Sequence, residues 1–343
     1  MTSAREPSRA SHGKAEATIG ISKVPDPRLD RLTAMYNPKK HTAATIEFAD
    51  LAMAVQAGAA QALVDVAAFK NADALVHVVR AFGDPTVAHP AGSIDPARDA
   101  QAMEDELILA DLGLTERRLE RVDKDLKKGK SPDLEREKAV LTQCKTALEE
   151  GRPLRSLDLH GDDLKRLRGF QFLSAKPLLI VLNLDESHVS DDLQTAADAA
   201  GLTAFLSRAA TGAVAVCAKI ELEIAQLDPA DAAAFLTDLG LKESGLNRVI
   251  RASYELLGYI SFFTVGEDEC RAWSIPRHLT APMAAGEIHS DIQRGFIRAE
   301  VVSYGALIAR GSMAACRDHG EVRLEGKDYL VIDGDIINFR HAT

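Results

Sequence analysis

In KPLLIVLNL (176–184), five apolar residues stand in a row between Pro177 and Asn183. A strand with one wet face alternates apolar and polar residues. An unbroken run is instead covered on both faces, as in a parallel sheet layered between helices. The runs ATIGISKV (17–24), AATIEFAD (43–50), DALVHVVRAF (73–82) and AVAVCA (213–218) are also Val/Ile/Leu-rich and mostly unbroken. The pattern predicts a mostly parallel α/β sheet, with helices over 51–71, 189–200 and 219–238. Asp50 closes the second of these runs and leads into a loop. In a phosphate-binding α/β domain, that is where a magnesium-bound γ-phosphate is sensed.

The 343 residues (37.0 kDa) are enough for two or three domains. A net charge of −10 and a pI of about 5.5 weigh against bulk binding to nucleic acid or to an anionic membrane. Only a local basic patch would do that work, and no motif for sequence-specific DNA or for an oligomeric state stands out. Cys144, Cys217, Cys270 and Cys316 form no CxxC pair, which fits neither a zinc site nor a disulfide framework. No apolar run approaches the roughly 18 residues of a membrane span, and the N-terminus has no signal-peptide core. The expectation is a cytoplasmic protein with a polar, disordered tail over residues 1–16.

Residues 97–150 are long and charged. Ile108, Leu112, Thr115, Leu119, Val122 and Leu126 follow 4-3 spacing, and so do Leu134, Glu137, Leu141, Cys144 and Leu148 beyond the break at KKGKSPD. Two antiparallel helices paired along these stripes make a short coiled-coil hairpin. Toward its tip Arg117, Arg118, Arg121, Lys124, Lys127, Lys128 and Lys130 outnumber Glu116, Glu120, Asp123 and Asp125 by seven to four. Such a face is either simply solvated or a contact for ribosomal RNA or another acidic surface. From about residue 261, short strands (ISFFTVG, CRAWSIP, GFIRAEVVSY, DYLVIDG, DIINFR) alternate with turns, and Asp333-Gly334 reads as a tight turn.

RAWSIP (271–276), APMAAGEIHSDIQRGFIRAEVV (281–302) and RLEGKDYLVIDGDIINFR (323–340) resemble the TGS domain, a ubiquitin-like β-grasp module, of the Obg-related YchF or Obg-like ATPase family. VPDPRLDRL (24–32), GLNRVIRASYELL (245–257) and the hairpin match in the same order. The resemblance implies a P-loop-NTPase-like domain over 17–96 and 151–260, interrupted by the hairpin over 97–150 and followed by a TGS domain over 261–343. It further implies an ATP/GTP hydrolase with magnesium and an association with the ribosome.

The resemblance also assigns residues. NLDE (183–186) matches the family's NxxE element, which favours adenine over guanine, so Asn183 and Glu186 are the expected base readers. An Asn amide both accepts from and donates to a base edge, whereas a carboxylate only accepts. CAKIE (217–221) matches the second base loop, with backbone amides of Cys217, Ala218 and Lys219 flanking the ring. Asp50 matches the switch II Asp, acting on magnesium through a water.

Three departures weaken the site. No G-x-x-x-x-G-K-[ST] occurs in the 343 residues, so the first strand and P-loop of the family are absent, and HGK at 12–14 is followed by Ala15 where a hydroxyl is needed. Met53 replaces the switch II glycine, and Ala54 the hydrophobic residue after it. Losing five charge-assisted phosphate contacts at about 1.5–3 kcal/mol each removes roughly 7–15 kcal/mol, or at least about five orders of magnitude in affinity. Hydrolysis, which rests on positioning by that loop, suffers further. The chain is therefore expected to carry a vestigial adenine-nucleotide site, with ATP bound weakly or not at all, magnesium only alongside nucleotide, and no hydrolysis of its own. The alternative is an active ATPase whose P-loop lies upstream of Met1. Without the missing central strand, the strands ending at Asp50 and Phe82 either pair directly or await that upstream segment.

Other clusters have plainer readings. His289 and Asp291 fit turn and capping bonds, and His160, Asp162 and Asp163 fit a helix N-cap before LKRLRGF. Cys217 would be redox-sensitive only if Lys219 stabilised its thiolate.

Overall fold

The computed structural model describes residues 18–50, 69–189 and 192–342. Strand β1 is Thr18–Lys23, helix α1 Pro27–Tyr36, β2 Lys40–Thr42, β3 Thr45–Asp50 and β4 Leu75–Ala81. The hairpin helices α2 (Pro96–Lys128) and α3 (Pro132–Glu149) follow, then α4 (Asp162–Leu167) and β5 (Leu178–Leu184). Next come α5 (Leu193–Ala199), α6 (Thr203–Leu206), β6 (Thr211–Val216), α7 (Ala218–Ile224), α8 (Pro229–Asp238) and α9 (Gly245–Leu256). The chain ends with β7 (Tyr259–Thr264), β8 (Glu269–Pro276), α10 (Ala281–Ile288), α11 (Ser290–Arg294), β9 (Phe296–Ser303), α12 (Tyr304–Arg310), α13 (Met313–Asp318), β10 (Arg323–Glu325) and β11 (Asp335–His341).

The unbroken run behaves as its composition demands. β5 lies between β4 and β6, parallel to both, with Val78 opposite Val181 and Asn183 opposite Val216. Ile180 and Leu182 face Leu107 of α2 and Phe205 of α6, while Leu179 and Val181 face Val249, Ala252 and Leu256 of α9. The parallel sheet is smaller than the sequence suggests. β1 and β3 leave it and pair antiparallel with each other in a separate two-stranded sheet, Thr18 opposite Asp50. The reason is one-sided burial: Ile46 and Phe48 pack inward at every second position of β3, whereas Ile19 and Ile21 of β1 stay exposed. Direct pairing of the strands ending at Asp50 and Phe82 does not occur, since β3 pairs with β1 and β4 with β5. The helix expected over 219–238 is two helices, because Asp228 caps a new start at Pro229 and accepts from the Ala230 and Asp231 N–H groups. The tail over 1–16 and nearly all of the helix predicted for 51–71 lie outside the described residues.

The hairpin forms as its stripes predict, with starts set by Asp95-Pro96 and Ser131-Pro132. Thr115, Val122, Leu141, Cys144 and Leu148 are buried, and Glu137, the polar member of its stripe, meets the Arg118 guanidinium at 2.6 and 2.8 Å. At the root, α2 turns two carboxylates inward. Glu104 accepts from Arg155 at 2.6 Å, both side chains being almost fully buried. Asp111 accepts from the Leu173 and Ser174 N–H groups and from the Ser174 hydroxyl.

The third sheet runs β10-β9-β11-β7-β8-β2. Asp333-Gly334 is a tight turn: Gly334 has φ +88° and Asp335 N–H donates to Ile332 C=O at 3.1 Å. DYLVIDG forms no strand beyond a bridge between Leu330 and Thr280. One core under this sheet joins Leu29, Leu32 and Ala44 to Ile250, Tyr254, Phe263, Val302 and Ile336. β2 pairs parallel with β8, and Arg28 donates to both Asp26 and Asp333.

Candidate nucleotide-base site

β5 and β6 end side by side, and the polar residues that stop their apolar runs meet there. The Asn183 side-chain oxygen Oδ1 accepts the Ala218 N–H at 3.0 Å, tying the end of β5 to the first residue of α7. The amide nitrogen of Asn183 remains as a donor of the kind a purine N7 accepts. Of the three loop amides expected to flank a base, Ala218's is thus engaged by Asn183. Cys217 is buried in the extended conformation just ahead of α7.

Glu186 opens a short 3₁₀ turn whose cap is Asp185, held below the usual carboxylate range by the Ser187 N–H and hydroxyl. Its carboxylate pairs with the Lys219 ammonium at 2.8 Å, and that bond raises the Lys219 pKa. Both side chains are solvated, so the pair is easily exchanged for another partner. The Lys219 ammonium is turned to Glu186, and Cys217 is buried.

Asn183, Glu186, Ala218 and Lys219 therefore come together. Asp50 stands apart, exposed at the end of β3 in the two-stranded sheet, and Met53 lies outside the described residues. Among the described residues, no three His, Cys, Asp or Glu side chains gather as a metal site. The Asn183 side-chain amide nitrogen, without a hydrogen-bond partner among the described residues, is what these two loops offer a base edge. No glycine phosphate loop occurs in the sequence.

Sequence reasoning missed Glu221, the last residue of CAKIE. Its carboxylate accepts from the Gly245 N–H at 2.7 Å and the Leu246 N–H at 3.0 Å, capping α9. Its position in a helical turn gave no signal, since the partners are backbone groups 24 and 25 residues on.

At the hairpin tip, Arg118 is consumed by Glu137 and Lys128 reaches Asp125 at 2.9 Å. Arg117, Arg121, Lys124, Lys127 and Lys130 make no ion pair among the described residues. Arg117, Arg121, Lys124 and Lys128 recur at 4-3-4 spacing and so form one exposed stripe of α2. The other clusters are structural. His289 Nδ1 accepts the Asp291 N–H, opening α11. α4 starts after Gly161 with no side-chain cap, contrary to the capping expected of His160, Asp162 and Asp163; His160 pairs with Asp158 and Asp162 with Lys165.

The YchF-GTPase C-terminal family, described as a protein of unknown function (DUF933), matches residues 259–342. The chain is 42% identical over 328 residues to the ribosome-binding ATPase YchF of Bacillus subtilis, covering 95% of this chain and 89% of that protein. It is 38% identical over 330 residues to the protein of the same name from Escherichia coli O157:H7, covering 94% and 89%. The Schizosaccharomyces pombe YchF GTPase superposes with a TM-score of 0.82 at 28% identity, covering 94% of this chain and 87% of that one. A GTP binding protein of Pyrococcus horikoshii shares the fold, with a TM-score of 0.56 at 18% identity.

Proposed function

The chain belongs to the YchF family, and from that premise we propose that it is a ribosome-associated cytoplasmic protein with a vestigial adenine-nucleotide site and no hydrolysis of its own. The observation that carries the nucleotide reading is the bond from Ala218 N–H to Asn183, which holds the two base loops together. In this reading the Asn183 amide donates to N7 of the base. Glu186, once Lys219 releases it, accepts from the 6-amino group of adenine, which guanine lacks; hence ATP over GTP. Mg²⁺ enters only with the nucleotide, and Asp50 would meet it through a water. Three or four ordinary hydrogen bonds give about 4 kcal/mol, so binding is expected near the millimolar range. Titration calorimetry of the chain with ATP, GTP and Mg²⁺ tests this: micromolar, magnesium-dependent uptake of ATP would overturn it.

The relatives named ribosome-binding ATPases support the ribosome as partner, and the stripe of α2 supports where contact is made. Arg117, Arg121, Lys124, Lys127, Lys128 and Lys130 would face ribosomal RNA phosphates, an attraction that weakens with salt. Reversing Arg117, Arg121 and Lys124 to Glu is expected to abolish co-sedimentation with ribosomes at low salt. Unchanged pelleting would remove the hairpin from the interface. The outer edges of β3 and β4, unpaired among the described residues, favour a second reading, an active ATPase in which a further strand with a phosphate loop lies between them. An intact mass from the native source several kilodaltons above 37.0 kDa would decide for it.

A further inference from the structure

We propose that Glu221 is a positioning residue that couples the base loop to the C-terminal sheet through α9. Its two oxygens hold the first two N–H groups of that helix, a charge-assisted arrangement also favoured by the helix dipole. The approach is close. A Cβ on Gly245 would stand 2.9 Å from Glu221 Oε1 and 2.9 Å from Val216 Cγ1, so only glycine lets the helix start against the end of β6. Val216 immediately precedes Cys217, which places the α9 terminus, the Glu221 carboxylate and the base loop in one packed unit.

From there α9 runs 12 residues, about 18 Å, as a single rod. Val249, Ala252 and Leu256 seat it on β5 and β6. Ile250 and Tyr254 enter the core shared with Phe263 and Ile336. Its far end is pinned as well, since the Tyr254 hydroxyl donates to Ile260 C=O at 3.0 Å and shares a 3.0 Å bond with the Ser261 hydroxyl. The base loop is thus held on one side by Asn183 and on the other by a helix whose opposite end is fastened to β7. Any rearrangement of Cys217–Ile220 must either break the Glu221 bonds or move α9, and moving α9 disturbs β7. This coupling belongs to the protein itself and does not depend on whether nucleotide is held.

Amide hydrogen exchange on the full chain, without nucleotide, tests it. Glu221→Gln keeps one acceptor but turns an NH₂ group toward the other N–H. It is expected to speed exchange roughly tenfold or more at Ala218–Ile220 and also at Ile260–Phe263, which Glu221 does not touch. Ser244→Ala removes a different bond at the same helix end, the Ser244 hydroxyl accepting from Asn247 N–H, and should affect only the first turn of α9. If Glu221→Gln does not fold, Glu221→Asp keeps the charge, withdraws the oxygens by one methylene and permits the same comparison. Changes confined to residues 245–247, or an identical pattern in Ser244→Ala, would overturn the proposal.

Discussion

Single residues divide into those whose role follows from where an apolar run stops and those whose role is set by distant groups. Asn183, Glu186 and Lys219 are of the first kind: a buried strand must end in something polar, and here the polar ends of two neighbouring strands meet. Glu221 and His77 are of the second. His77 sits in β4 opposite Ile180, and its Nδ1 is buried with no hydrogen-bond partner among the described residues. Burial lowers its pKa to about 4, with Asp99 opposing weakly. A base whose folded pKa lies below its unfolded one takes up protons first in the unfolded chain. Stability is therefore lost as pH falls from about 6.5 toward 4, by at most about 3 kcal/mol. His77→Leu should be at least as stable at pH 7 and should gain on the wild type with each step of acidification. Urea unfolding at pH 7, 6 and 5 checks this; parallel pH dependences in the two proteins would refute it.

At the scale of elements, the hairpin is the clearest success of periodicity, because a two-helix seam is decided by residues three and four apart. Its root was not legible. Glu104, Ile108, Asp111 and Thr115 continue the buried stripe, but carboxylates at such positions look like surface until their partners are known. Burial outweighs the bonds from Leu173 and Ser174 and raises the Asp111 pKa, so this carboxylate adds stability as pH falls, opposite in sign to His77. Asp111→Ala would strand two buried N–H groups at about 1–3 kcal/mol each, for a loss of roughly 2–6 kcal/mol in denaturant unfolding. Asp111→Asn, which keeps one acceptor, should lose less. The same limit hid the antiparallel β1–β3 pair: a run such as ATIGISKV shows that residues are apolar, not that one face stays open to solvent.

For the whole molecule, the decisive contacts join ends that sequence order separates. β2 pairs with β8 across 229 residues, Lys40 opposite Glu269 and His41 opposite Cys270. Arg28 lies 5.2 Å above the Phe263 ring while bonding Asp26 and Asp333. Burial alone would raise the Asp333 pKa, yet Arg28 and the Ser261 N–H together hold it below the usual carboxylate range. No local pattern encodes such pairings, and a reading that breaks the chain near residue 261 has no means of seeing them. They make the matched segment 259–342 dependent on the rest. Expressed alone it would uncover Phe263, Val302 and Ile336, which Leu29, Leu32, Ala44 and Tyr254 cover in the full chain. An apolar face of that size left to water favours loosened packing or association. The isolated segment is therefore expected to bind a hydrophobic dye and to unfold over a broad range. The full chain with Arg28→Ala should keep a cooperative transition with stability lowered by about 2–4 kcal/mol, since Asp26 loses the guanidinium in a largely buried position and keeps only the backbone N–H of residue 28. A fragment as cooperative and dye-free as the full chain would mean that α1 and β2 decorate the C-terminal sheet rather than complete it.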